Sequence, residues 1–160
     1  MRALRLENGR PMLLAGIRRH HAHASAGETI TAQWREFEEL ARIEDQTGSV
    51  AYGVMCGGNP DTQQFEYMCA VEVSSFDKLP TSLGRMRVPA AYYAVFEHAG
   101  NVSTVQETWN AIWKTWLPES GFVPANSPDF ERYDEHFDST TGEGGLEIFF
   151  PIVKSTNADA

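Results

Sequence analysis

The segment Gly145-Leu146-Glu147-Ile148-Phe149-Phe150-Pro151-Ile152 sets a carboxylate two residues from an aromatic ring in an otherwise apolar run. Side chains of an extended strand alternate between faces, so Leu146, Ile148, Phe150 and Ile152 share one face and Glu147 and Phe149 the other. The first face can pack under a helix. The second puts an anion beside a π-system. Glu is disfavoured in strands, which leaves two readings: a solvated Glu on an exposed strand face, or a carboxylate at the floor of an aromatic-lined cleft. In such a cleft the anion attracts a lipophilic cation, aided by cation–π contacts of roughly 0.5–2 kcal/mol each. Desolvated, the same group becomes a general acid or base.

Other residues could contribute. Tyr52, Phe65, Tyr67, Tyr92, Tyr93, Trp113 and Tyr133 are spread over several segments, and the tyrosines suit a pocket because a buried hydroxyl requires a partner. Glu131, in Pro128-Asp129-Phe130-Glu131-Arg132-Tyr133-Asp134, either pairs with a Lys or Arg of a neighbouring strand or helps to shape the cleft. On a strand His21 and His23 would share a face, but a third metal ligand (His98 or His136) lies at no recognisable spacing. No metal is therefore expected, and the histidines read as a solvated basic strand end. Cys56 and Cys69 are too few for a disulfide framework, although they could be cross-strand neighbours in a hairpin. Neither a phosphate loop nor a dinucleotide fingerprint occurs, and no cofactor is expected.

The elements that must position these groups read as strand, helix, strand, strand, twice. Pro11–Arg18 is an apolar strand ending in Arg18-Arg19-His20-His21. Ile30, Trp34, Phe37 and Ala41 then recur at helical spacing, with Ser25 and Glu28, or Thr29, as a possible cap. Val50–Cys56 and Phe65–Val73 form a hairpin around Gly57-Gly58-Asn59-Pro60-Asp61. The second round opens with a long strand over Arg85–His98. A helix capped by Ser103 and Gln106 follows, with Val105, Trp109, Ile112, Trp113, Trp116 and Leu117 as its stripe and Pro118 as its end. Phe130–Phe137 and Leu146–Val153 close the fold as strands. The pattern predicts an α+β fold of duplicated strand–helix–strand–strand units with pseudo-twofold symmetry, helices packed on antiparallel sheet, and a central cleft between the halves.

The chain has 160 residues, with 13 Lys+Arg against 22 Asp+Glu and a formal net charge of −9. That length fits one domain, here expected over 1–154 with halves at about 11–75 and 85–153, followed by a flexible tail at 155–160. The negative charge argues against direct nucleic-acid or anionic-membrane binding. Apolar runs such as Met12–Ile17 and Ala90–Phe96 fall far short of the roughly 20 residues of a membrane span. A cytoplasmic location is expected.

Six segments in order carry a resemblance: Tyr52-Gly53-Val54, Phe65–Val73, Val88–Gly100, Trp109 to Pro118, Phe130-Glu131-Arg132-Tyr133 and Leu146–Ile152. From Pro11 to Val153 the chain resembles the GyrI-like small-molecule-binding family, also called the AraC-type effector-binding domain. The resemblance implies the duplicated fold above and a cleft for hydrophobic, often cationic, small molecules. The family's cleft Glu matches Glu147, with Tyr52, Tyr67, Tyr92, Trp113, Tyr133 and Phe149 as candidate ligand-binding walls. Many relatives carry a helix-turn-helix domain; none is seen here, which suggests a stand-alone member. The expected function is ligand sensing or sequestration, related to transcription regulation. Two alternatives are carried: a hydrolase of electrophilic cyclopropane-type toxins with Glu147 as general base, and a protein-binding role toward gyrase or a separate regulator.

Overall fold

The computed structural model describes residues 1–156. In chain order its elements begin with strands β1 (Arg5–Gly9) and β2 (Met12–Ala22), helix α1 (Ala26–Glu38), and strands β3 (Gln46–Asn59), β4 (Gln64–Val73) and β5 (Gly84–Val88). Strand β6 (Ala91–Glu97), helices α2 (Val105–Ala111) and α3 (Leu117–Ser120), and strands β7 (Phe122–Pro124), β8 (Asp129–Tyr133) and β9 (Leu146–Lys154) follow. The fold is α+β with antiparallel strand pairing, and it divides into two compact units. One unit is Pro11–Val88; the other joins Met1–Arg10 to the chain from Pro89 onward. Each contains the strand–helix–strand–strand order that the sequence predicts.

In the Pro11–Val88 unit the strands lie in the order β3-β4-β2-β5. Register pairs Ile17 with Cys69 and Arg19 with Tyr67, so these side chains share the face that α1 covers. Docking of α1 depends on polar groups as well as on its apolar stripe. Gln33, buried at mid-helix, donates from Nε2 to the Ile17 and Tyr67 carbonyls at 2.9 and 3.0 Å. Trp34 Nε1 donates to Tyr67 Oη at 3.2 Å. Ile30, Trp34 and Phe37 are only half-buried.

In the other unit the order is β1-β6-β9-β8, with β1 outermost and β7 paired to the far end of β9. Phe96, Ile148 and Phe150 pack toward the second helix, where Trp116 and Trp113 each meet a phenylalanine ring at 5.0 Å. Trp109 and Ile112 of that helix are buried, whereas Trp113 is 46% exposed.

Several boundaries differ from the sequence reading. The strand expected over Arg85–His98 is two strands, because Pro89 lacks the N–H that a continuous ladder requires. β5 pairs with β2, while β6 pairs with β1 and β9. Pro118 does not end the second helix: a π-helical turn over Ile112–Trp116 leads into α3, and Pro118 lies in the first turn of that segment, where a missing N–H costs little. The helix ends instead at Gly121, with φ of 78°. Neither expected cap forms. Ser25 occupies the N-cap of α1 without a side-chain bond, and Asn101, not Ser103, caps the turn ahead of α2 by accepting from Ser103 N. Strand β1 was not foreseen. The last expected strand before β9 stops at Tyr133 rather than Phe137, and Cys69 stands opposite Gly53, not Cys56. Of the expected tail, Ser155 N donates to the Gly121 carbonyl, and 157–160 lie outside the described residues.

Candidate functional site: a carboxylate and rings on one sheet face

Register fixes which side chains meet Glu147. Across β8, β9, β6 and β1, Arg132 is opposite Glu147, Phe130 opposite Phe149, Tyr93 opposite Pro151, and Arg5 opposite Val95. With strand alternation these groups share the sheet face turned away from the second helix. Phe130 and Phe149 stack at 5.0 Å with 12° between their planes, and the Tyr93 ring lies 5.5 Å from each. The result is a buried cluster of three rings with a partly exposed carboxylate at its edge.

Glu147 retains only 17% of its side-chain exposure. Both of its oxygens accept from Arg5: Nη1 to Oε2 at 2.6 Å and Nη2 to Oε1 at 3.2 Å. Arg132 Nη1 stands 3.9 Å from Oε1. The Arg5 guanidinium carbon lies 5.8 Å from the Phe149 ring centroid, within cation–π range, and Arg5 Nε also donates to Glu7 at 2.9 Å. Bonding to Glu147 is the largest influence raising the Arg5 pKa above its ordinary value.

Tyr93 is 2% exposed and its hydroxyl has no hydrogen-bond partner. Burial raises its pKa to about 12, so it stays a neutral donor. Its ring fits because Gly9 lies beneath it; a Cβ there would fall 2.4 Å from the ring. At the start of β8, burial raises the Asp129 carboxyl to about 6, reinforced by the nearby Glu131 charge.

The other sequence-predicted residues lie elsewhere. Tyr92, Trp113 and Tyr133 belong to the helix side of this sheet, opposite Glu147 and Phe149. Tyr92 meets Phe122 at 6.4 Å and Trp113 meets Phe150. Tyr133 Oη donates to Glu131 at 2.8 Å, and Trp109 Nε1 donates to the other Glu131 oxygen at 2.9 Å. Glu131 is thus a buried, hydrogen-bonded anchor for α2. Tyr52 and Tyr67 are in the Pro11–Val88 unit, both buried, with Tyr67 under α1 and Tyr52 on the reverse face of that sheet. Of the sequence candidates the structure therefore unites Glu147 with Phe149 and Tyr93, and it adds Arg5, Phe130 and Arg132. Alternation in Phe130-Glu131-Arg132 and in Leu4-Arg5-Leu6-Glu7 is the signal that could have found these three.

His21 is buried rather than solvated. Its ring nitrogens bond Thr29 Oγ1 at 2.7 Å and Gln33 Oε1 at 2.6 Å. In the other unit His98 bonds Thr108 Oγ1 and the Asn101 carbonyl, each at 2.7 Å. These histidines fasten strand ends to helices, and no cluster of three potential metal ligands occurs among the described residues. An open depression of about 780 Å³ lies in the Pro11–Val88 unit, lined by Arg18, Phe76, Arg85 and Arg87 among others. It contains no sequence-predicted site residue, and Arg18 is already paired with Glu66. No helix among the described residues is long and apolar enough to cross a membrane.

Each unit is thus a helix-backed antiparallel sheet, and one of them carries a carboxylate beside buried, stacked rings on the sheet face opposite its helix. The chain belongs to the GyrI-like small-molecule-binding domain family, whose sequence profile matches residues 4–153. It is 32% identical over 134 residues to the transcriptional regulator BrlR of Pseudomonas aeruginosa, covering 81% of this chain and 48% of the regulator. It is 34% identical over 68 residues to a DNA gyrase inhibitor of Erwinia billingiae, covering 42% of this chain and 43% of the inhibitor. The chain thus spans about half the length of the curated relatives it matches. The same fold occurs in SAV2435 bound to tetraphenylphosphonium, at a TM-score of 0.70 and 20% identity, over 96% of this chain and 94% of that one. It also occurs in the C-terminal domain of EcmrR, at a TM-score of 0.68 and 16% identity, over 94% of this chain and 97% of that one.

Proposed function

We propose that this chain binds hydrophobic cations on the Glu147–Phe149 face and acts in ligand sensing or sequestration. One observation carries the reading: a cation already occupies the seat. The Arg5 guanidinium bridges the Glu147 carboxylate and the Phe149 ring, the two contacts that a delocalised organic cation would use. The stacked Phe130 and Phe149 rings, flanked by Tyr93, are buried apolar neighbours of that seat, and the Tyr93 hydroxyl is an unused donor on the same face. The ion pair in the way is only partly buried, and such pairs contribute about 1 kcal/mol or less. Apolar burial at roughly 25 cal/mol per Å² outweighs that cost once about 40 Å² of the ligand's own apolar surface leaves water.

Tetraphenylphosphonium, the molecule carried by SAV2435, is the natural first probe. Calorimetric titration of the whole chain should show saturable binding at one molecule per chain, weakened as ionic strength rises. Absence of saturable binding at low ionic strength contradicts the proposal. A hydrolytic role gains no support from the geometry. Both Glu147 oxygens are engaged by Arg5, and the Tyr133 hydroxyl donates to Glu131 on the opposite face.

A further inference from the structure

The Arg5 guanidinium sits between the Glu147 carboxylate and the Phe149 ring. Pairing of the outermost strand β1 with β6 sets Arg5 opposite Val95, and from there its 40%-exposed side chain reaches Glu147, 142 residues away in sequence. Its guanidinium also has a second carboxylate in place, because Glu7 follows two residues later on the same face and accepts from Arg5 Nε at 2.9 Å. A guanidinium displaced from Glu147 therefore retains an ion-pair partner. Arg132 stays near the carboxylate at 3.9 Å, and Glu97 stands opposite Glu147 in register. The charged groups named on this face are Arg5, Glu7, Glu97, Arg132 and Glu147.

Resting on the cation-binding reading above, we infer that Arg5 is a specificity-determining residue: it fills the seat when no ligand is present, gives up Glu147 while keeping its bond to Glu7 when one enters, and disfavours cations too small or too hydrophilic to displace it. A ligand that succeeds must bring enough ring area for the Phe130–Phe149 surface to outcompete a side chain held at high local concentration. The positive charge of Arg5 beside the seat also makes the face more tolerant of an anion of the same shape.

The test compares tetraphenylphosphonium with its isosteric anion tetraphenylborate, titrated into the whole chain and its variants. Arg5→Gln should bind the phosphonium about tenfold more tightly and the borate more weakly. Glu7→Gln, which removes the alternative partner, should weaken the phosphonium severalfold. Introducing Glu147→Gln into the Arg5→Gln background should abolish the gain. Unchanged or weaker phosphonium binding by Arg5→Gln, with Glu147→Gln still impairing the parent chain, overturns the competitor role and leaves the cation-binding reading standing. Insensitivity to Glu147→Gln in both backgrounds overturns that reading as well. Melting temperatures of each variant confirm that folded chains are compared. Arg5→Met, with the charge removed and the aliphatic stem kept, provides a second version should the glutamine disturb β1.

Discussion

Glu147→Gln is expected to weaken tetraphenylphosphonium binding by at least about tenfold while the protein stays folded. The substitution preserves size and an oxygen acceptor for Arg5, but deletes the negative charge. Arg5 and Arg132, now without their shared counter-ion on β9, leave a positive field where the ligand must sit. Binding then loses its Coulombic attraction and gains repulsion from two guanidinium groups. Stability should change far less, because the Arg5–Glu147 pair is partly exposed and the median contribution of such pairs is about 0–1 kcal/mol. Paired titration and thermal melting separate the effects. A tenfold loss with a melting point shifted by no more than a few degrees is the expected result, and equal affinities for both proteins contradict it.

Gly16→Ala should produce the largest effect on the fold. Gly16 lies in β2 opposite Ala70 of β4. A Cβ at Gly16 would stand 1.8 Å from the Cys69 carbonyl oxygen and 2.9 Å from the Ala70 Cα. These are backbone atoms of a paired strand, so no rotamer change relieves the clash; the strands must separate. Overpacking of this kind costs about 3 kcal/mol or more, a fall of roughly 6–12 °C in melting temperature for a chain of this size. Gly27→Ala is the control, since nothing lies within 4 Å of a Cβ there and the position is helical. It should leave the melting point unchanged or raise it slightly. Equal melting points for the two variants would refute the close-approach argument.

Much of the framework was legible because it depends on local periodicity. Strict alternation in Leu146–Ile152 gives β9 and puts Glu147 and Phe149 on one face, while the Trp109, Ile112 and Trp116 spacing gives the second helix. The docking of α1 was less legible. Gln33 and His21 are buried polar residues satisfied by partners 8 to 34 positions away, and polar docking leaves no hydrophobic stripe to read. β1 is hard to read because it is five residues long and mostly exposed, so the alternation in Leu4-Arg5-Leu6-Glu7 is too short to stand out. Its importance rests on long-range register, which a single sequence does not reveal. The same limit applies to the aromatic walls. Composition identified Tyr92, Trp113 and Tyr133 as candidates, but strand parity assigns them to the helix side of the sheet. Tyr93, one residue from Tyr92, is the tyrosine beside Phe149.

The most direct measurement is a crystal structure of the whole chain with tetraphenylphosphonium. The expected electron density puts a phenyl group against Phe130 and Phe149, the phosphonium within about 6 Å of the Glu147 carboxylate, and the Arg5 guanidinium withdrawn from Glu147 and held by Glu7 alone. Density for the ligand against Trp113 and Tyr92 on the helix side, with Arg5 still bridging Glu147 and Phe149, would contradict the account.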